Sequence, residues 1–238
     1  MFFAHTLFMI NQTFFSKRKF SYVLKILTVC CSLGGVLLSL IFARRDGYSH
    51  WTRRTFYFTA QSNMWIGFTT LAILLLPLLP LKLQKIKNFL YLFKYVFTVC
   101  IAMTAIVFLG FLAPFADQSY HVWEFSSFLT HVFSPLFAIL DFFVDDYKIN
   151  LNKNSIFLVA VPPLFYIGFS AVLSAFSVDF GRGVNYPYFF MNHYSKAGVF
   201  GFSKEVPLLG TFYWICFFAI ITMCLGFFFA KIKNKTTK

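Results

Sequence analysis

Long apolar runs alternate with short, polar and mostly basic segments along the whole chain, and six of the runs are long enough to cross a bilayer as helices. A helix rises about 1.5 Å per residue, so a hydrocarbon layer about 30 Å thick needs about 20 apolar residues. The runs predict spans at Phe20–Ala43, Phe56–Leu79, Tyr91–Phe115, Phe125–Val144, Ile156–Phe176 and Leu208–Ala230. The expected fold class is all-α: a polytopic membrane protein, a bundle of about six transmembrane helices. Thr130, His131, Ser134 and Asp141 interrupt the fourth run.

Residues 1–19 read differently. They are apolar but broken by His5, Asn11 and Gln12, and the basic cluster Lys17-Arg18-Lys19 comes after the apolar stretch, whereas a cleavable signal places its charge first. The expectation is an interfacial segment lying on the membrane. No linker, repeat or low-complexity stretch divides the remainder of the chain, so one six-helix domain is expected over residues 20–231, with a basic cytoplasmic tail at 232–238.

Composition excludes a water-soluble globule. Hydrophobic residues make up 59% of the 238 and charged residues 12%, against about 45–50% and about 25% in soluble domains. Lys and Arg number 21 against 8 Asp and Glu, a formal +13. These basic residues sit mainly between and beyond the apolar runs, where anionic headgroups and the positive-inside bias account for them, and nucleic acid is not an expected partner. An even number of spans puts both termini on one side. With the termini inside, twelve basic residues (Lys17, Arg18, Lys19, Lys82, Lys85, Lys87, Lys148, Lys153, Lys231, Lys233, Lys235 and Lys238) face the cytoplasm. Seven (Arg44, Arg45, Arg53, Arg54, Arg182, Lys196 and Lys204) face out, while Lys25 and Lys94 fall within spans. The count favours cytoplasmic termini; the four arginines of the first outer loop weigh against it.

Ionisable groups inside a membrane are costly, so they are functional candidates. His5, His50, His121 and His193 lie outside the spans, and only His131 lies within one. Ser127, His131, Ser134, Ala138 and Asp141 recur at steps of four, three, four and three, one stripe along the fourth span. Thr55, Thr59, Ser62, Ile66 and Thr69 trace a second stripe along the second span, with Asn63 beside it. Two polar stripes in lipid should face each other or a wet cavity. The second and fourth spans of an up-and-down bundle run the same way, which puts Thr59 and His131 at similar depth near one end. A hydroxyl and an imidazole at matching depth suit nucleophilic catalysis on an acyl carbon. The plainer readings are that such stripes glue helices together and that Asp141 reaches the headgroups beside Asp145 and Asp146. Asp141 is ten residues from His131, about 15 Å along a helix, so it cannot orient the imidazole directly.

Other chemistries find less support. Cys30, Cys31, Cys100, Cys216 and Cys224 all lie in apolar runs without CxxC spacing. One intramembrane histidine cannot supply a zinc or bis-histidine haem site, and no phosphate-binding loop or GxSxG motif is present. No cofactor or metal is expected. Pro77, Pro80 and Pro162-Pro163 leave a transporter with broken helices open, although no inverted repeat accompanies them. The long loop Ser177–Pro207, rich in Tyr, Phe and Gly, reads either as a partial lid over the outer mouth of the bundle or as an interfacial aromatic belt.

Three stretches resemble a known family. Tyr57-Phe58-Thr59-Ala60-Gln61-Ser62-Asn63 looks like the second-helix motif of the bacterial six-span membrane proteins called Pr-six-Pr. His131-Val132-Phe133-Ser134-Pro135-Leu136, with Leu140-Asp141 beyond it, looks like their fourth helix, and Asn185-Tyr186-Pro187-Tyr188-Phe189 resembles the loop before their last span. That group is similar to the eukaryotic androgen-induced and androgen-dependent membrane proteins. The resemblance implies an intramembrane hydrolase of fatty acid esters of hydroxy fatty acids, acting through a threonine and a histidine matched here by Thr59 and His131. In the eukaryotic pattern the threonine precedes an Asn or Asp by three residues, whereas Thr59 precedes Asn63 by four, so Ser62 stands as an alternative nucleophile. Gln61, Asn63 and Ser134 are candidate hydrogen-bond donors to an oxyanion. The expected partners are membrane lipids or a lipid-ester substrate. The competing expectation is a binder or transporter of a lipid or small amphiphile, with no covalent step.

Overall fold

The computed structural model describes residues 2–80, 83–115, 123–181 and 183–236. Lys82, His121, Arg182 and Lys238 lie outside the described residues, as do the side chains of residues 2–15 and 83–84. Among the described residues six helices are long and apolar enough to cross a membrane: α1 (Ser16–Ile41), α2 (Phe58–Leu78), α3 (Lys87–Phe115), α4 (Phe125–Val144), α5 (Lys153–Ala175) and α6 (Thr211–Thr236). Each overlaps one predicted span. Among the described residues no strand forms; there are two isolated bridges, Gly181 to Val184 and Phe202 to Leu209.

The two ends of the chain depart from the boundaries read from sequence. The helix containing α1 is continuous from Phe2 to Ile41, so no break marks residues 2–19 as a separate segment. At the other end α6 runs on to Thr236, so residues 232–236 extend a helix and do not form a free tail. Lys233 shows why: its ammonium turns inward and donates to the carbonyls of Phe142 (2.9 Å) and Asp145 (2.5 Å).

Helix α3 is the hub. Half of its most apolar window is buried, against 17% for α5 at the rim, and it packs on α2, α4 and α6. Tyr95, Val99 and Cys100 of α3 meet Phe142 of α4, Val159 of α5 and Phe229 of α6 in one apolar core. Helix α1 closes the other side against α2 and α4. It comes so close at Gly35 that a Cβ there would lie 2.7 Å from the Thr130 methyl of α4 and 2.9 Å from Leu129 Cβ. A side chain would wedge the two helices apart.

Below this level the bundle is fastened by charge. Lys25 of α1 bonds Asp141 (2.9 Å) and Asp145 (2.7 Å), and Lys94 of α3 bonds the same two carboxylates at 2.6 and 2.8 Å. Ser21 adds a hydrogen bond to Asp141 at 2.8 Å. Asp141 does not reach the headgroups: it is 1% exposed, because two ammonium groups at its own depth satisfy it inside the protein. Asp145, one residue beyond α4, is pushed toward protonation by burial, but the attraction of Lys94 and Lys25 outweighs this and holds it well below the usual carboxylate range.

Removing one member of a buried ion group strands its partners and costs about 3–5 kcal/mol, whereas an exposed pair contributes about 1 kcal/mol or less. Asp141→Ala is therefore expected to destabilise the protein by about 3–5 kcal/mol in a reversible denaturant titration in detergent. Glu205→Gln, which breaks the exposed Lys196–Glu205 pair, is expected to leave the midpoint nearly unchanged. Equal effects would contradict the burial argument.

Candidate active site

Thr59 is the second residue of α2. Tyr57 precedes the helix without a side-chain cap, and the amides of a first helical turn have no carbonyl behind them to bond. The Thr59 N–H donates instead to the Tyr188 hydroxyl, at 3.4 Å.

His131 lies in a π-helical turn, Leu129–Phe133, inside α4. A second π-turn, Phe108–Leu112, lies in α3. Within two residues beyond each turn stands a proline, Pro135 and Pro114, which cannot donate the next helical hydrogen bond. Widened turns of this kind are frequent at functional sites. Two adjacent residues of this turn, Thr130 and His131, are both buried, exposed by only 4% and 6%. The imidazole stacks on Phe108, the first residue of the α3 π-turn, with centroids 3.7 Å apart and planes 16° apart.

The two side chains singled out by depth meet. His131 Nε2 lies 3.2 Å from Thr59 Oγ1. The other ring nitrogen, Nδ1, lies 3.1 Å from the Ser127 carbonyl and 3.2 Å from Thr130 Oγ1. A carbonyl only accepts, and the Thr130 hydroxyl already donates to the Ser126 carbonyl at 2.9 Å. Nδ1 must therefore carry the proton, which leaves Nε2 as the acceptor facing the Thr59 hydroxyl. The Ser127 carbonyl performs the orienting task for which no acid is visible in the sequence. A backbone oxygen leaves no mark on a residue string; the usable signal is the i−4 spacing of Ser127.

The remaining candidates occupy other positions. Ser62 is fully buried and bonds Thr104 Oγ1 (2.9 Å) and the Thr59 carbonyl (3.2 Å), with no bond to His131 among the described residues. Both amide hydrogens of Asn63 are taken, by the carbonyls of Thr59 (2.9 Å) and Thr130 (3.1 Å), so it ties α2 to α4 and has none left for an oxyanion. Gln61 turns back to the Thr55 carbonyl at 3.2 Å. Ser134 is buried without a hydrogen-bond partner among the described residues and lines neither cavity at the site. Thr55 belongs to a 3-10 turn, Trp51–Phe56, ahead of α2, and so is off the stripe.

Two cavities converge on Thr59. One, of about 150 Å³, lies among α2, α3, α5 and α6 and is lined almost wholly by apolar groups, among them Met103, Leu164, Ile215 and Phe218. The other, of about 580 Å³ and more polar, holds His131, Ser127, Arg54 and Tyr186. Thr59, Leu112 and Tyr188 line both. The loop of residues 176–210 thus folds inward: Tyr188 lies at the junction and stacks on buried Phe190 with centroids 5.1 Å apart. Phe180 of the same loop is fully buried and accepts from Tyr57 at 3.1 Å. Arg54, one of the four arginines that weigh against the orientation, pairs with Asp46 and sits over the Tyr48 ring at 4.3 Å. Arg45 likewise pairs with Glu124 at 2.6 Å. Part of that loop's positive charge is thus neutralised within the fold. Among the described residues no three His, Cys, Asp or Glu groups converge to hold a metal ion.

Selective 15N-histidine NMR of the protein, with His131→Gln used to assign the signal, is expected to show the His131 proton on Nδ1. A proton on Nε2 would contradict the role given to the Ser127 carbonyl. Comparisons with protein-family models, curated proteins and solved structures return no match, so the chemistry of this site is read from its own geometry.

Proposed function

We propose that the protein is an intramembrane esterase that cleaves lipid esters with Thr59 as nucleophile and His131 as general base and acid. The observation that carries this reading is the contact of Thr59 Oγ1 with the unprotonated Nε2 of His131, at the point where an apolar and a polar cavity meet. A long-chain ester has that same division, an acyl chain on one side of the carbonyl carbon and a more polar alcohol part on the other.

In the proposed cycle Nε2 takes the Thr59 proton as Oγ1 attacks the ester carbonyl. The negative charge that develops on the carbonyl oxygen is favoured by the N-terminal end of the α2 helix dipole. The proton on Nε2 then passes to the departing alcohol oxygen, leaving the acyl group on Thr59. Water, deprotonated by Nε2, attacks this second ester, and the proton returns to Oγ1 as the acid leaves. Gln61, Asn63 and Ser134 have no part in this cycle. The resemblance to Pr-six-Pr and the androgen-induced proteins points to the same reaction, with fatty acid esters of hydroxy fatty acids as the substrate class.

The basic-residue count supports an orientation in a cell membrane with both termini cytoplasmic and Thr59 near the outer leaflet. The competing reading is a lipid or amphiphile binder or transporter that uses the same two cavities without bond cleavage.

The purified protein is expected to hydrolyse a long-chain p-nitrophenyl ester. General-base assistance is worth about 10²–10⁴-fold, so His131→Ala should lose about that factor, Thr59→Ala should fall to background, and Ser62→Ala should keep most of the rate. Ester binding at an unchanged background rate in all four proteins would favour the non-catalytic reading.

A further inference from the structure

Pro162-Pro163 has no part in the chemistry proposed above, yet it breaks α5 beside the candidate active site. The helix is regular over Lys153–Phe157, tightens into a 3-10 turn at Leu158–Ala160 and resumes over Val161–Ala175. Neither proline can donate the hydrogen bond that would carry a regular helix through this point. Before the break α5 is pinned to its neighbours. Val159 is fully buried, and Gly226 of α6 lets it approach so closely that a Cβ there would lie 2.8 Å from Val159 Cγ2. Beyond the break, Val161–Ala175 packs only weakly on α3 and α6.

The apolar cavity that reaches Thr59 occupies the gap this leaves. Ala160 and Pro163 line it at the break, with Met103 and Thr104 of α3 and Thr222 of α6 across from them. Thr104 and Thr222 donate to the carbonyls of Cys100 (3.1 Å) and Phe218 (2.8 Å), so neither hydroxyl proton is left for a polar guest. Among the described residues that line the cavity, only Leu164 of α5 and Ala219 of α6 are exposed. A residue that lines a cavity and is also exposed marks its mouth. The cavity therefore opens sideways, between these two helices. Leu164 lies eleven residues before Ala175, and Ala219 eight after Thr211, which puts them about 16 and about 12 Å from the ends of their helices. In a hydrocarbon layer about 30 Å thick, what lies outside a mouth at that depth is acyl chain.

We infer that the mouth between Leu164 and Ala219 is a lateral portal through which the acyl chain of a lipid ester passes between the bilayer and the cavity. The ester group stays at Thr59 while the far end of the chain runs out into lipid, so the site sets no upper limit on chain length. A cavity sealed from lipid would instead cap the chain at its own length. The inference takes its substrate class from the esterase reading, but the portal would equally admit the chain of an ester that is bound and not cleaved.

Photolabelling in vesicles tests the portal, using a palmitoyl ester with a diazirine midway along its chain and the Thr59→Ala protein, so that the ester stays intact. Adducts are expected on Met103 and Thr222, both buried and out of reach of a chain confined to bulk lipid. Ala219→Trp and Leu164→Trp, each of which crowds the mouth, should lower that labelling about tenfold. The control Ile220→Trp, beside Ala219 but 63% exposed and off the cavity, should leave it unchanged. Adducts confined to lipid-facing residues such as Phe165 and Ile220 would overturn the portal, as would unchanged labelling in both mouth variants. Labelling of Met103, combined with no ester hydrolysis by the unsubstituted protein, would uphold the portal and overturn the esterase reading alone.

Discussion

A charge buried in hydrocarbon must find its opposite inside the protein, and one level of this bundle is built around that requirement. Lys25, Lys94, Asp141 and Asp145 bring α1, α3 and the end of α4 to a single point, and Lys233 brings α6. Each carboxylate accepts from two ammonium groups, so α4 cannot slide or turn without breaking several contacts at once. His131 lies ten residues before Asp141 on the same helix, about 15 Å away. The cluster thus fixes, from a distance, the register that aims the imidazole at the start of α2.

The upper level depends on local backbone geometry. Thr130 and His131 are buried side by side in the π-turn ahead of Pro135. Gly35 lets α1 pack directly on that turn, and Asn63 ties it to α2 through the Thr130 carbonyl. The Ser127 carbonyl then selects the tautomer that leaves Nε2 facing Thr59. A carbonyl in place of a carboxylate avoids placing a negative charge in the membrane, at the cost of weaker stabilisation of an imidazolium.

The spans are legible in the sequence because apolar run length is a one-dimensional property. So is the approach of Thr59 to His131, since helical spacing and parallel direction suffice to compare depths. Run length alone makes Lys25 and Lys94 isolated residues within spans and sends Asp141 out to the headgroups; a comparison of their depths would pair them. Gln61 and Asn63 look available as donors because a sequence names side chains without showing what already occupies them, and in Asn63 both amide hydrogens are spent on backbone carbonyls; Ser134 looks available because a sequence does not show that it lines neither cavity. The widened turns and the Ser127 carbonyl are backbone features with no direct signature, although Pro114 and Pro135 mark where helical bonding fails. Tyr188 has a signature, in the Asn185–Phe189 stretch, but only the fold shows that it lies between two cavities.

The central claim is that Thr59 is a nucleophile activated by His131. Its most direct test is to treat the detergent-solubilised protein with an alkyl fluorophosphonate, digest it and locate the adduct by mass spectrometry. The account predicts one phosphonylated residue, Thr59, with labelling lost in Thr59→Ala and strongly slowed in His131→Ala. An adduct on Ser62, or no adduct at all while lipid still binds, would contradict it.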